Sequence, residues 1–249
     1  MQPLDVMTAI AKQTGDVGAS FYFDPATVAR AKELGLDGYR FYFLGRGGVL
    51  GDVDSAVILS AFGYFHPAVI GRMWDSARKR MEPLYAARAF IECGHAYGRR
   101  MFGEVEGLDA YVDAAAQVIG AVDGGAMALF AGVRAEPVPD DAPAAAIHQA
   151  MVLREMRGSA HLAAITAVGL PTSIAHAIKR PEDVELFGWG DQPPVVTDDD
   201  RARHARAEEL TNDALTPAFS SLSDEQAQAL IAGTGAMHLA LQSASGVTT

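Results

Sequence analysis

An all-α fold is what this sequence predicts: a helical protein with two helix-turn-helix-like halves and room for one short hairpin. Three observations carry the prediction. Apolar residues recur every three or four positions over most of the 249 residues, and alanine is abundant. Helix-start chemistry recurs as well, in Asp24-Pro25 and Ser223-Asp224-Glu225, where a capping side chain precedes proline or acids in a first turn. Each half also holds a short helix, a glycine, a proline and a second helix, first around Gly63 and Pro67, then around Gly169 and Pro171.

In chain order the periodicity predicts helices over 4–13, 25–34, 55–61, 67–80, 83–102, 108–133, 142–168, 172–178, 201–215 and 224–241. The aromatic run Tyr39-Arg-Phe-Tyr-Phe-Leu44 fits a strand or a buried helix equally well. Gly45-Arg-Gly47-Gly48-Val-Leu-Gly51 falls short of a dinucleotide loop, because Leu50 stands where the last glycine belongs; it reads as a tight turn between packed helices, with Arg46 at its tip. Residues 135–141, Ala-Glu-Pro-Val-Pro-Asp-Asp, form a connector that divides the chain into an N-terminal helical half, 1–134, and a C-terminal winged-helix-like half, 142–249. Residues 188–200, with Pro193-Pro194 and three aspartates, are the place for an exposed loop or hairpin. The last helix carries Ala227, Leu230, Ile231, Met237 and Leu241 at roughly helical spacing, a stripe suited to a neighbouring helix in a homodimer.

Composition narrows the function classes. A net charge of −11 disfavours broad contact with nucleic acid or an anionic membrane, both of which attract basic surface. DNA binding is therefore open only through a local basic patch, such as Arg72…Arg78-Lys79-Arg80 or Lys179-Arg180. A single cysteine, Cys93, allows no intrachain disulfide, and the N-terminus has no basic segment leading into an apolar one. Apolar runs are broken well short of a membrane span, so the expectation is a cytoplasmic protein that does not enter a membrane.

The chemistry concentrates in residues 148–161, His-Gln-Ala-Met-Val-Leu-Arg-Glu-Met-Arg-Gly-Ser-Ala-His. On a helix, Arg154, Arg157 and His161 fall within about 60° of one another. Two guanidiniums and an imidazole on an otherwise apolar face need an acid, a carbonyl or an anionic ligand to meet them. The face is therefore either an internal salt-bridge network or a pocket for a small anionic or aromatic molecule. In the pocket reading His161 and His66 are candidate acid-base residues, and Arg154, Arg157, His148, Tyr22, Tyr42, Arg46, Tyr64 and Phe65 are candidate ligand contacts. The seven histidines show no metal-ligand spacing, so neither a metal nor a cofactor is expected from a contiguous motif. Cys93 and His95 point apart on a helix, and no nucleophile elbow occurs.

Arg154-Glu-Met-Arg157-Gly-Ser-Ala-His161, the Gly169-Leu170 turn and Phe187-Gly-Trp189 resemble a little-characterised bacterial helix-turn-helix family. The likeness extends to Tyr22-Phe-Asp-Pro25 and Phe62-Gly-Tyr-Phe-His-Pro67. The resemblance implies a winged-helix arrangement like that of MarR-type regulators, with a terminal dimer helix. The chain departs from the family's Asp-Gly before the histidine, where it has Ser159-Ala160, and Asp198-Asp199-Asp200 gives the expected wing an acidic character. The resulting expectation is a regulator-like protein that binds a small molecule; the alternative is an enzyme using His acid-base chemistry on a small acidic or aromatic metabolite.

Overall fold

The computed structural model describes residues 1–244 and 246. Among the described residues it is all-helical, with twelve α-helices and no strand. The first six are α1 (Pro3–Ala19), α2 (Pro25–Glu33), α3 (Gly38–Gly47), α4 (Ser55–Phe62), α5 (Pro67–Arg78) and α6 (Pro83–Phe102). The rest are α7 (Leu108–Gly120), α8 (Ala128–Arg134), α9 (Ala142–Ala167), α10 (Thr172–Lys179), α11 (Asp198–Phe219) and α12 (Asp224–Ala244).

Local chemistry sets most of the starts. Asp24, Asp37, Glu82 and Asp141 each accept a first-turn backbone N–H, which satisfies donors the helix itself leaves orphaned. At α12, Ser223 and Gln226 form a reciprocal capping pair, Oγ accepting from one backbone N–H and Oε1 from the other.

The centre of the molecule is α9, 26 residues long. Residues 144–153 are buried without a break, so this helix is enclosed on all sides and shows little amphipathicity. It packs against α1, α6, α7, α8 and α11. Two glycines allow the close approach: a Cβ on Gly18 of α1 would lie 2.7 Å from Ala150 O, and one on Gly98 of α6 would lie 2.6 Å from Pro143 O. The main core runs from Val6 to Met237 and draws on helices from both sides of the 135–141 connector. A smaller core, Ala164, Ile165, Leu170, Ala175 and Ala207, joins the end of α9 to α10 and α11.

Of the two forms that fit the aromatic run 39–44, the structure has the buried helix, within α3. The expected turn falls at 48–51, where the Gly51 N–H donates to Gly48 O at 2.9 Å and Gly51 has φ 78°; Gly45 lies inside α3, and Gly45 and Gly48 let this segment press onto α6, where a Cβ would meet Phe90 at 2.5 Å and Pro83 O at 2.0 Å. Several other expectations change. The predicted helix 108–133 is two, interrupted at 121–127, where Asp123 accepts the Gly125 N–H in a tight turn. No hairpin forms in 188–197: Pro193 and Pro194 bring no N–H to a strand ladder, and Val195 is 81% exposed. The acids placed in a wing are instead the first turn of α11, capped by Thr197 in a capping box with Asp200, where negative charge suits the helix dipole. The α12 stripe packs within the chain, with Ala227, Leu230 and Met237 buried as the helix rests on α7 and α1.

Candidate functional site

In each half a helix, a left-handed glycine and a second helix follow one another, although in the second half the leading helix is the long α9 and not a short one. In the first, α4 ends at Phe62, Gly63 follows with φ 77°, and α5 starts at Pro67. In the second, α9 ends at Ala167, Gly169 has φ 66°, and α10 starts at Thr172. The positive φ makes glycine the favoured residue at both turns. A Cβ on Gly63 would also lie 2.2 Å from Leu162 of α9, so the first turn sits directly on the helix that leads into the second.

The two units are held together by the segment after α10. Trp189 Nε1 donates to Tyr64 O at 2.9 Å, and the His66 N–H donates to Phe187 O at 2.9 Å. The Phe187 ring lies between Phe65 and His176, with centroids 4.0 and 3.9 Å away. His66 itself caps α5, its Nδ1 accepting the Ala68 N–H at 3.2 Å, and abuts Trp189. Tyr64 also lies against His176 and is largely buried, which pushes its phenol well above the ordinary value.

The outward faces of the two second helices differ. Helix α5 buries Ile70, Trp74 and Ala77 and exposes Ala68 and Arg72; Lys79, its C-cap in helical conformation, is exposed as well. Arg72 and Lys79 are seven residues apart, hence in phase on one face, and no acid pairs with either among the described residues. Arg78, by contrast, is tied to Asp52, Asp54 and Asp75. Helix α10 buries Ala175, His176 and Ala177 and exposes basic charge only at its end, in Lys179 and Arg180.

The Arg-His face of α9 resolves into two clusters, each with its own acid. In the first, Arg46 of α3 binds Glu155 bidentately, Nε to Oε1 and Nη2 to Oε2, both at 2.8 Å. Arg154 adds Nη1 to Oε1 at 2.7 Å. Burial pushes the Glu155 carboxyl up, and the two guanidiniums more than offset this, leaving it below the ordinary value. Tyr22 and Tyr42 close the cluster: Arg154 stacks over Tyr22, Arg46 Nη1 donates to Tyr42 Oη at 3.3 Å, and the two rings are 5.3 Å apart. Burial, partly opposed by Arg154, raises Tyr22 to about 12. The space beside Arg46 and Glu155 measures about 20 Å³, room for about one water.

In the second cluster Arg157 donates to Glu208 Oε2 at 2.7 Å and to Asn212 Oδ1 at 3.1 Å, both on α11. His161 Nδ1 lies 2.9 Å from Thr211 Oγ1, and its Nε2 is 3.8 Å from Glu208 Oε1. His204 lies beside it, ring centroids 5.7 Å apart. Burial, against the pull of Glu208, lowers His161 to about 4. His161, His204 and Glu208 each offer a ligand atom within 4.8 Å of the others, which makes them the residues of this site able to hold a metal ion.

The predicted residues thus divide among four places. Arg46, Arg154, Tyr22 and Tyr42 meet around Glu155, while Arg157 and His161 face α11. Tyr64, Phe65 and His66 belong to the first turn. His148 points to another face of α9, fully buried, with its Nδ1 3.0 Å from His95 Nε2 of α6. Glu155, His204 and Glu208 are absent from the residues expected on sequence grounds. Glu155 stands inside the Arg154–Arg157 motif, and the four-residue spacing of His204 and Glu208 is their one available signal. A groove of about 310 Å³ lies elsewhere, between Asp24, Arg30, Glu92, Cys93, Tyr97 and Arg100.

Two glycine-hinged helix pairs, fastened to each other in an all-helical body, define a helix-turn-helix protein. A family model described as a helix-turn-helix family matches residues 7–189, and the chain belongs to that family. No curated protein and no solved structure matches the chain. Among the described residues no helix is long and apolar enough to cross a membrane.

Proposed function

We propose that this chain is a regulator-like protein that reads duplex DNA through α4, the Gly63 turn and α5. The observation that carries the reading is the outer face of α5, where Arg72 and Lys79 stand in phase and exposed without an acid partner. A helix presented this way suits the major groove and its phosphates. Basic residues around α10 and α11 are mostly neutralised: Arg180 by Asp183, Arg203 by Asp199 and Arg206 by Glu209. With a net charge of −11, binding is therefore specific and local, with little non-specific affinity. A MarR-type wing is not part of this reading, because residues 188–197 form no hairpin and Phe187 and Trp189 fasten the two units to each other. A cytoplasmic setting and a homodimer go with a regulator; since the α12 stripe is covered within the chain, a second copy would bind through another surface.

A small-molecule effector finds its support in a charge count: two guanidiniums, Arg46 and Arg154, share the single carboxylate of Glu155 beside two tyrosines. The cluster would have to open to admit an anion larger than water. The test of the DNA reading is selection from a random duplex library, then fluorescence anisotropy across a salt series. An enriched duplex should bind, and Arg72→Ala with Lys79→Ala should weaken it at least tenfold. Each lost phosphate contact removes about 0.9 from the log–log salt slope. A library that yields no enriched sequence, or a double variant that binds as the parent does, overturns the reading.

A further inference from the structure

We propose that His161, His204 and Glu208 form a binding site for a first-row divalent transition metal ion, with Zn²⁺ as the reference, bridging α9 and α11. The protons at His161 can be counted. The Thr211 hydroxyl donates its only proton to Ala207 O at 2.7 Å. It can therefore only accept from His161, so His161 Nδ1 carries a proton and, in the neutral ring, Nε2 carries the lone pair. That lone pair faces another acceptor, Glu208 Oε1, at 3.8 Å. The two acceptors accommodate a cation between them, a second proton or a metal ion.

The third residue completes the set. His204 lies one helical turn before Glu208 on the same face of α11. It is only 9% exposed, and its Nε2 is buried without a hydrogen-bond partner among the described residues. All three donor atoms fall within 4.8 Å of one another. Ligands around a tetrahedral ion at ~2.0–2.2 Å sit roughly 3.4 Å apart, so side-chain rotation closes the remaining gap. Two imidazoles and one carboxylate suit Zn²⁺ and its neighbours and not Ca²⁺ or Mg²⁺. Three protein ligands also leave a position for water.

The surroundings fit this use. Thr211 holds the His161 ring in one orientation, as outer-shell partners of metal-bound histidines do. Arg157 engages the other carboxylate oxygen, Oε2, and leaves Oε1 to the ion. Lys179 Nζ, 3.5 Å from Oε1, is the group an ion would displace; its side chain is 67% exposed and free to swing into solvent. The bound ion would clamp α11 to the end of α9 that leads into the Gly169 turn, where Arg203 already donates to Gly169 O. The site stands independently of the DNA reading, since its measurement uses no DNA.

The test is titration of the untagged, metal-stripped full chain with Zn²⁺ by calorimetry, and with Co²⁺ by visible absorption. One ion per chain is expected, with ligand-field bands of a four- or five-coordinate Co²⁺ site. His204→Ala and Glu208→Gln should each weaken binding at least ~100-fold, and Thr211→Val, which only frees the His161 ring, ~10-fold. His238→Gln, on α12, should bind as the parent does. Circular dichroism checks each variant for folding, and Glu208→Gln decides should His204→Ala not fold. A parent chain that takes up neither ion, or that binds with the same affinity after Glu208→Gln and Thr211→Val, overturns the proposal.

Discussion

Arg46 and Glu155, 109 residues apart in sequence, form a two-pronged pair that ties α3 to the central helix α9. Side-chain exposure is 12% for the guanidinium and 4% for the carboxylate. At this depth the net attraction of the pair is small beside the penalty for losing one partner.

Glu155→Ala should therefore destabilise the fold by about 3–5 kcal/mol, because it leaves Arg46 buried without a counter-charge. Arg154 is less exposed to the loss, since its side chain is 26% accessible and can turn to water. Replacing both partners, Arg46→Met with Glu155→Leu, should recover most of the stability. A double-mutant cycle in urea measures the coupling; a coupling near zero would mean the pair is mechanically idle.

The His95–His148 contact predicts a pH dependence. Burial, reinforced by Arg99 at His95 and by His95 at His148, lowers both imidazoles from 6.5 to about 4. Between those values the unfolded chain binds protons that the native pair refuses. Stability is thus complete above pH 6.5 and falls as pH drops toward 4. For fully buried His148 the loss reaches roughly 3 kcal/mol. Urea midpoints measured across this range should decline in the parent and flatten in His148→Gln; equal slopes would remove the pair as the cause.

Close approach of α1 and α6 to α9 predicts a steep response to single methyl groups. A Cβ at Gly18 or Gly98 would meet backbone oxygen at 2.7 and 2.6 Å, and backbone cannot swing aside. Gly18→Ala and Gly98→Ala should each cost about 1–3 kcal/mol, although alanine is the better helix former. Gly15→Ala, with nothing within 4 Å among the described residues, is the control and should stabilise slightly. Thermal unfolding of the three variants decides; equal midpoints would show that helix spacing is not set by these contacts.

Trp189 should act as the fastener of the two helix-turn-helix units. Trp189→Phe removes the hydrogen bond to Tyr64 O while keeping an aromatic ring in place, and should cost about 1 kcal/mol. Trp189→Ala should cost about 2 kcal/mol, less than for a fully buried ring because the residue is half-buried. Limited proteolysis should then cut first within 184–197. Cleavage elsewhere, with this segment intact, would show that the strap is held without the indole.

The all-helical fold, most helix starts and the paired glycine turns were legible in the sequence. These are local properties: Asp24, Asp141 and Ser223 cap the helices directly after them, and Gly63 and Gly169 answer to their own backbone angles. Arg154, Arg157 and His161 were likewise legible as a cationic face demanding counter-charges. Tertiary structure alone decided what met that demand. Glu155 reaches Arg46 across 109 residues, Glu208 and Thr211 arrive from α11, and His148, on the same helix, is turned away toward His95. The same holds for Gly45 and Gly48: the turn at 48–51 is local, but their close contact with α6 depends on where that helix packs. Spacing along a chain fixes which side chains share a face, because helical geometry repeats every few residues. It does not fix what lies opposite, because that depends on how helices far apart in sequence find the packing that buries them.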